Sequence, residues 1–215
     1  AATGRMTATL AHEINNPLES LINLLFLLRD ECSSDNARAL LDNAEGEVMR
    51  LAETTQRTLN LARSHQHPPK AFFVSEFLKE MAHSVKLPHG VPLDLDLEGD
   101  PYVNVVPGEL RQAVFNLLLN AAQFTPVGGR VMLACQRNGA FAEILVIDEG
   151  PGISEAQRPH IFQPYYTTRE IGGTGLGLWA SRGLMQRYGG DITFAANPEG
   201  LPGTTFTLSL PLYRG

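Results

Sequence analysis

Cysteine is scarce and widely spaced. Only Cys32 and Cys135 occur among 215 residues. With no C-x-x-C pair, neither a zinc site nor a disulfide framework is implied. Both are expected as reduced thiols in a cytosolic protein. Long apolar runs are missing too. The longest is Leu24 to Leu28, or Leu21 to Leu28 across Asn23, well short of the ~20 residues a bilayer span requires. No signal peptide is visible, so no membrane contact is expected from this stretch. Basic clusters are absent: 17 Lys and Arg face 23 Asp and Glu, a net charge of -6. Nucleic acid and anionic membranes are therefore not expected partners. The chain opens Ala1-Ala2-Thr3-Gly4 without Met, and the expectation is a piece of a longer protein with an input domain upstream.

What is present divides into two styles. Residues 5–31 are expected to form one helix, with Leu10, Ile14, Pro17, Leu21, Leu24 and Leu28 along a heptad seam. Pro17 removes a backbone donor and predicts a kink. Cys32-Ser33-Ser34-Asp35 breaks the pattern, and Ser34 or Asp35 can cap a second helix. Its seam is Leu41, Ala44, Val48, Leu51, Thr55, Thr58 and Ala62. Two seams joined by a short loop predict an antiparallel helical hairpin. One hairpin buries too little apolar surface to stand alone, so two are expected to pair as a homodimer with a four-helix bundle. Residues 1–67 form this part, and 68–70 read as a linker after Pro68-Pro69.

From residue 71 the pattern becomes α+β. A helix is expected with Phe77, Leu78, Met81 and Val85 on one face. Strands are expected over 91–97 and 102–106. Pro107 and Gly108 open a helix carrying Leu110, Val114, Phe115, Leu117, Leu118 and Ala121. Strands near 129–137 and 141–148 flank an Asn138-Gly139 turn. A glycine-rich region follows, then a helix over 176–188 and strands over 191–196 and 204–211, forming a mixed or antiparallel sheet with helices on one face.

Four groups of residues suggest chemistry. His12 lies about 200° round its helix from Leu10 and Ile14, so it is expected to point away from the bundle core. Glu13 beside it can take a proton from one ring nitrogen while the other attacks. Asn16, one turn on, shares the face of His12. Asn116 and Asn120 stand at i, i+4 on an otherwise apolar helix and need partners; magnesium with the phosphates it carries would supply them. Asp148 ends an apolar strand before Gly150 and Gly152, where a carboxylate can accept an adenine amine. Gly172-Gly173-Thr174-Gly175-Leu176-Gly177-Leu178 precedes a helix and can offer backbone N–H groups to phosphate. It lacks the Gly-Lys-Ser/Thr of a Walker loop and the strand directly before it that a dinucleotide fold requires.

In order and spacing these motifs resemble the sensor histidine kinases of two-component systems, over essentially the whole chain. His12-Glu13-Ile14-Asn15-Asn16-Pro17-Leu18 matches the dimerisation and phosphotransfer motif. Residues 71–215 resemble the catalytic domain, a two-layer sandwich of the Bergerat ATP-binding type. Its motifs match Glu109 to Asn120 with Phe124-Thr125-Pro126, Asp148 to Ile153, Ile161 to Thr168, and Gly173 to Leu178. The Gly203-Thr204-Thr205-Phe206 segment also fits. The resemblance implies ATP-dependent autophosphorylation of His12, then transfer to an Asp of a response regulator receiver domain, with phosphatase activity on that regulator as a further capability. Glu13 would assist as base, Asn16 would position water, and Asn120 would hold magnesium. Asn116 stands where related ATPases carry a glutamate base, and an amide cannot take a proton from water. Asp148 would bind the adenine amine with Thr204. Gln123, Phe124, Gly150, Gly152, Ile153, Gly173, Thr174, Gly175, Leu176, Gly177 and Leu178 complete the expected nucleotide site. Residues 154–174 would form a lid, with Ile161 and Phe162 available to dock on the helical stalk.

One departure stands out: Gln123 replaces the Lys or Arg of many relatives, and Arg111 or Arg169 is the candidate replacement cation. Two other readings are an ATP-hydrolysing clamp and a non-enzymatic dimeric scaffold. Asn116 and His12 argue against the first; Asp148, Asn120 and the glycines argue against the second.

Overall fold

A computed structural model describes Ala44, Val48, residues 68–168, 175–198 and 201–214. Ala44 and Val48 are helical and half-buried, as the second seam requires. The rest of the hairpin, the Pro17 kink, the turn at 32–35, and the predicted dimer lie outside the described residues. The chain divides into two compact units, Ala1–Pro68 and Pro69–Gly215.

The second unit holds a five-stranded sheet and a two-stranded one. Their strands are β1 (Lys70–Phe73), β2 (Leu93–Leu97), β3 (Tyr102–Val105), β4 (Val131–Asn138), β5 (Phe141–Asp148), β6 (Asp191–Ala196) and β7 (Thr204–Pro211). The helices are α1 (Val74–Ser84), α2 (Pro107–Phe124) and α3 (Gly177–Gln186). The large sheet runs in the order β2-β4-β5-β7-β6, with β2 parallel to β4 and the other neighbours antiparallel. β1 and β3 pair separately. Lys70, assigned to the linker from sequence, already pairs with Val105. Four residues ending in Phe72-Phe73 show no alternation long enough to announce a strand.

Alternation puts one side chain in two on the core face. Val131, Leu133 and Cys135 of β4, Ala142, Ile144 and Val146 of β5, Ile192 of β6, and Phe206, Leu208 and Leu210 of β7 are buried. Against them pack α1 on β2 and β4, α2 on β4, β5 and β7, and α3 on β6 and β7. Helix α2 starts with Pro107 in its first turn, where a missing N–H costs nothing. Its C-terminus closes on Thr125, whose Oγ1 donates to the Ala121 carbonyl at 2.8 Å. Leu110, Ala113, Val114, Leu117, Leu118 and Ala121 face the core, whereas Phe115 is exposed. Phe115 was named among the apolar residues of this helix, but α2 touches the sheet along a single stripe, which leaves it outside.

The two helices beside the central strands are tied at one end by a polar cluster. Glu109, in the first turn of α2, is buried. It accepts from the Tyr188 hydroxyl and pairs with Arg187 at 2.7 Å. Burial and the neighbouring Glu109 carboxylate push the Tyr188 phenol up to about 12. It therefore stays a protonated donor at neutral pH, a structural role.

Leu208 is fully buried in β7, between β5 and β6. Leu208→Ala is expected to cost ~2–5 kcal/mol through lost burial and the cavity left behind. Denaturant unfolding measures this, and a loss below ~1 kcal/mol would contradict a close-packed core at that strand.

Candidate functional site

A cavity of about 860 Å³ opens between α2, the start of α3, the end of β5 and the start of β7. Of the residues selected from sequence, Asn116, Asn120, Gln123, Phe124, Asp148, Gly152, Ile153, Gly175, Gly177, Leu178 and Thr204 line it. Gly150 and Leu176 do not appear in the lining. Gly150 is buried behind Asp148, and Leu176 precedes α3, its carbonyl accepting from Ala180 N–H at 2.9 Å. Gly173 and Thr174 lie outside the described residues, as do His12, Glu13 and Asn16.

Asp148 is the most constrained of these side chains. It ends β5, and only 4% of it is exposed. Its Oδ1 accepts the Gly150 N–H at 2.8 Å and the Thr204 N–H at 3.2 Å. Both bonds fall on one oxygen, leaving Oδ2 for whatever fills the cavity. Burial raises the Asp148 pKa above the ordinary carboxylate value, while the two backbone N–H groups pull the other way. Asn197 fixes the same corner, donating to the Asp148 carbonyl at 2.8 Å and to the Pro202 carbonyl at 2.7 Å. Gly203 follows at φ +109, and a Cβ there would collide with the Asp148 carbonyl oxygen. Only glycine lets β7 approach β5 so closely at that point.

The helix α2 brings three amides along the cavity: Asn116, Asn120 and Gln123. Spacings of four and three residues place them on one face. Asn116 Nδ2 donates to Ser181 Oγ at 3.0 Å and to the Gly177 carbonyl at 3.4 Å. The Asn120 carboxamide has no hydrogen-bond partner among the described residues. A half-buried amide without a protein partner beside a cavity is suited to a ligand. Carboxamide and carboxylate oxygens are the donors that hard divalent cations prefer. The oxygens of Asn116 and Asn120 therefore fit magnesium accompanying a phosphate chain.

No Lys, Arg or His lines the cavity among the described residues. Arg111 is engaged elsewhere, pairing with Glu80 at 3.3 Å and lying over the Phe77 ring at 5.3 Å. It is thus not the replacement cation for Gln123, and Arg169 lies outside the described residues.

Two residues of the expected lid, Ile161 and Phe162, are among the described residues. Ile161 is buried and lines the cavity. Phe162 lies under the Arg182 guanidinium, 4.5 Å from ring centroid to Cζ, and 6.0 Å from the Phe194 ring. Arg182 is itself held by Asp191 through two bonds of 2.7 and 2.9 Å. That partner holds the Asp191 carboxyl below its ordinary value. The segment around Ile161 and Phe162 is therefore packed into its own domain. Sequence reasoning also missed Asn197 and Ser181, whose roles come from contacts across the fold.

Comparison with known proteins extends the description to both halves. Residues 105–214 match the family model described as histidine kinase-, DNA gyrase B-, and HSP90-like ATPase. Residues 2–67 match the His Kinase A (phospho-acceptor) domain. The chain is 32% identical to sensor histidine kinase ZraS of Escherichia coli (strain K12) over 219 residues, 98% of this chain and 46% of that protein. It is 29% identical to sporulation kinase B of Bacillus subtilis (strain 168), across 96% of this chain and 49% of that protein. The chain thus spans about half the length of these curated relatives. Among solved structures, the mycobacterial sensor histidine kinase MprB aligns with a TM-score of 0.59 at 26% identity, covering 67% of this chain and 97% of that one.

The raised pKa of Asp148 makes a signed prediction. A folded-state value above the unfolded one means that ionisation opposes folding, so stability falls as pH rises from the ordinary carboxylate range through the raised value. Asp148→Asn keeps an oxygen for the two backbone N–H groups and removes that charge. Its melting temperature should match or exceed the parent's at pH 7, with the difference shrinking below pH ~4. A variant clearly less stable at pH 7 than at pH 4, relative to the parent, would contradict this.

Proposed function

Because the chain belongs to the sensor histidine kinases, we propose that residues 70–215 bind ATP and present its γ-phosphoryl group to His12, carried by the helical hairpin of residues 1–67 and reached across the linker at 68–69. The observation that carries the reading is the cavity itself. It combines one buried carboxylate oriented by two backbone N–H groups with a row of amides on α2.

In this account Asp148 Oδ2 accepts the exocyclic amine of adenine, and the apolar Ile153, Leu178 and Phe206 flank the base. Asn116 and Asn120 would hold magnesium through their carboxamide oxygens. When bound, magnesium neutralises phosphate charge and aligns the chain of phosphates. The backbone N–H groups at Gly175 and Gly177, where α3 begins, donate to phosphate oxygens at the positive end of the helix. His12 then attacks the γ-phosphorus in line. The bond from phosphorus to the β–γ bridging oxygen breaks, ADP leaves with that electron pair, and Glu13 takes the proton from the other ring nitrogen. The phosphoryl group passes next to an Asp of a response regulator receiver domain. Asn16 is assigned to positioning water for the reverse service, dephosphorylation of that regulator. Two such chains work as a homodimer through their paired hairpins.

Asn116 separates this from the hydrolytic reading. A carboxamide cannot act as general base toward water, so the phosphoryl group is kept for the imidazole. Phosphoryl transfer needs chiefly positioning and charge neutralisation; the cavity's side chains would supply the first and the magnesium held by Asn116 and Asn120 the second.

The test is incubation with γ-labelled ATP and magnesium. The chain should acquire acid-labile, alkali-stable label that disappears in His12→Gln and falls at least about tenfold in Asp148→Asn. Steady phosphate release from an unlabelled protein would overturn the reading in favour of a hydrolase.

A further inference from the structure

We infer that Ser181 is a positioning residue that fixes which way the Asn116 carboxamide faces, committing its oxygen to the metal–nucleotide side of the cavity. This rests on the ATP-binding reading above and deepens it. Asn116 Nδ2 lies 3.4 Å from the Gly177 carbonyl oxygen. A carbonyl can only accept, so the NH₂ edge of the amide must face it. The second hydrogen of that group goes to Ser181 Oγ at 3.0 Å. Both donors are thereby spent on α3. The oxygen is left on the opposite edge of the planar group and accepts nothing from any described residue.

Ser181 is suited to this task by its burial. None of its surface is exposed, and a buried hydroxyl is retained only where its hydrogen bonding is used. The Gly177 contact alone is long for a hydrogen bond, so Ser181 supplies the better-formed half of the pair. The Asn120 carboxamide, by contrast, has no protein partner among the described residues, and it can turn to suit the ligand. One amide of the pair is set before the ligand arrives and the other is set by it. Preorganisation of this kind lowers the ordering cost of binding. The geometry also joins α2 to α3 at the cavity, opposite the tie that Glu109 makes with Tyr188 and Arg187.

The role shows itself in how magnesium changes nucleotide affinity. The experiment measures AMPPNP binding calorimetrically, with magnesium and with EDTA, to the parent chain, Ser181→Ala, Asn116→Ala and the double variant. In the parent, magnesium should raise affinity. Ser181→Ala should keep the EDTA affinity within about twofold while losing at least about fivefold of the magnesium gain. In the Asn116→Ala background the Ser181→Ala change should add nothing further, because its effect runs through that amide. Ser181→Thr, which keeps the hydroxyl, should retain the gain. Should the alanine variant melt far below the parent, Ser181→Cys, with a weak acceptor of similar size, decides by the same comparison. Three results would overturn the inference alone: a full magnesium gain in Ser181→Ala, an equal loss with and without magnesium, or additive effects in the double variant. A parent that binds no nucleotide, or binds it equally with EDTA, would overturn the inference together with the reading beneath it.

Discussion

The site depends on one carboxylate oxygen. Asp148 Oδ1 accepts the N–H groups of Gly150 and Thr204, two residues far apart in sequence. Those bonds pin the end of the central strand β5 to the loop that follows it and to the start of β7. They also decide the chemistry. An aspartate satisfied on one oxygen and buried in the wall of a cavity keeps the other for a ligand donor. Burial makes its charge costly, so this corner gives up stability to keep a carboxylate at the cavity wall. Gly203 and Asn197 support the arrangement from behind, one by having no Cβ and the other by clamping the strand ends.

Opposite this corner stands the α2–α3 pair. The cavity-lining amides gain rigidity from polar ties at both ends of the pair, Asn116 with Ser181 and Gly177 near the cavity, and Glu109 with Tyr188 and Arg187 away from it. Gly175 adds a close approach: at φ +63, a Cβ there would run into the Tyr165 backbone. Arg182 completes the frame by stacking on Phe162 while bonding to Asp191. Phosphoryl transfer asks for fixed geometry rather than for covalent help from the ATP-binding domain, and these ties supply fixed geometry.

Much of this was legible in the chain because the signals were local. Strands β6 and β7 occur over the residues their alternation predicted. Pro107 announced α2, and Asn138-Gly139 announced the β4–β5 turn. The Asp148 corner was legible as a carboxylate between an apolar strand and glycines. What was hidden was cooperative across distance. Nothing near Asn197 or Ser181 in sequence tells that one holds Asp148 and the other holds Asn116. Phe115 is apolar but lies well round the helix from the stripe of Leu110, Val114, Leu117 and Ala121, and it is exposed; apolar character alone did not say which face it takes. Leu95 likewise alternates correctly, but it is exposed on β2 at the sheet edge. Arg111 looked available as a cation until its pairing with Glu80 appeared. The short β1 gave no periodic signal at all.

The central claim is that Asp148 reads a base through an exocyclic amine. Comparison of ATP with ITP tests it most directly, because the two differ there: adenine carries an amine and hypoxanthine a carbonyl. With magnesium present in both titrations, ATP should bind at least about tenfold more tightly, the worth of one buried charge-assisted hydrogen bond exchanged for a repulsive contact. Equal affinities would show that the carboxylate does not read the base, and the account of this cavity would then be wrong at its centre.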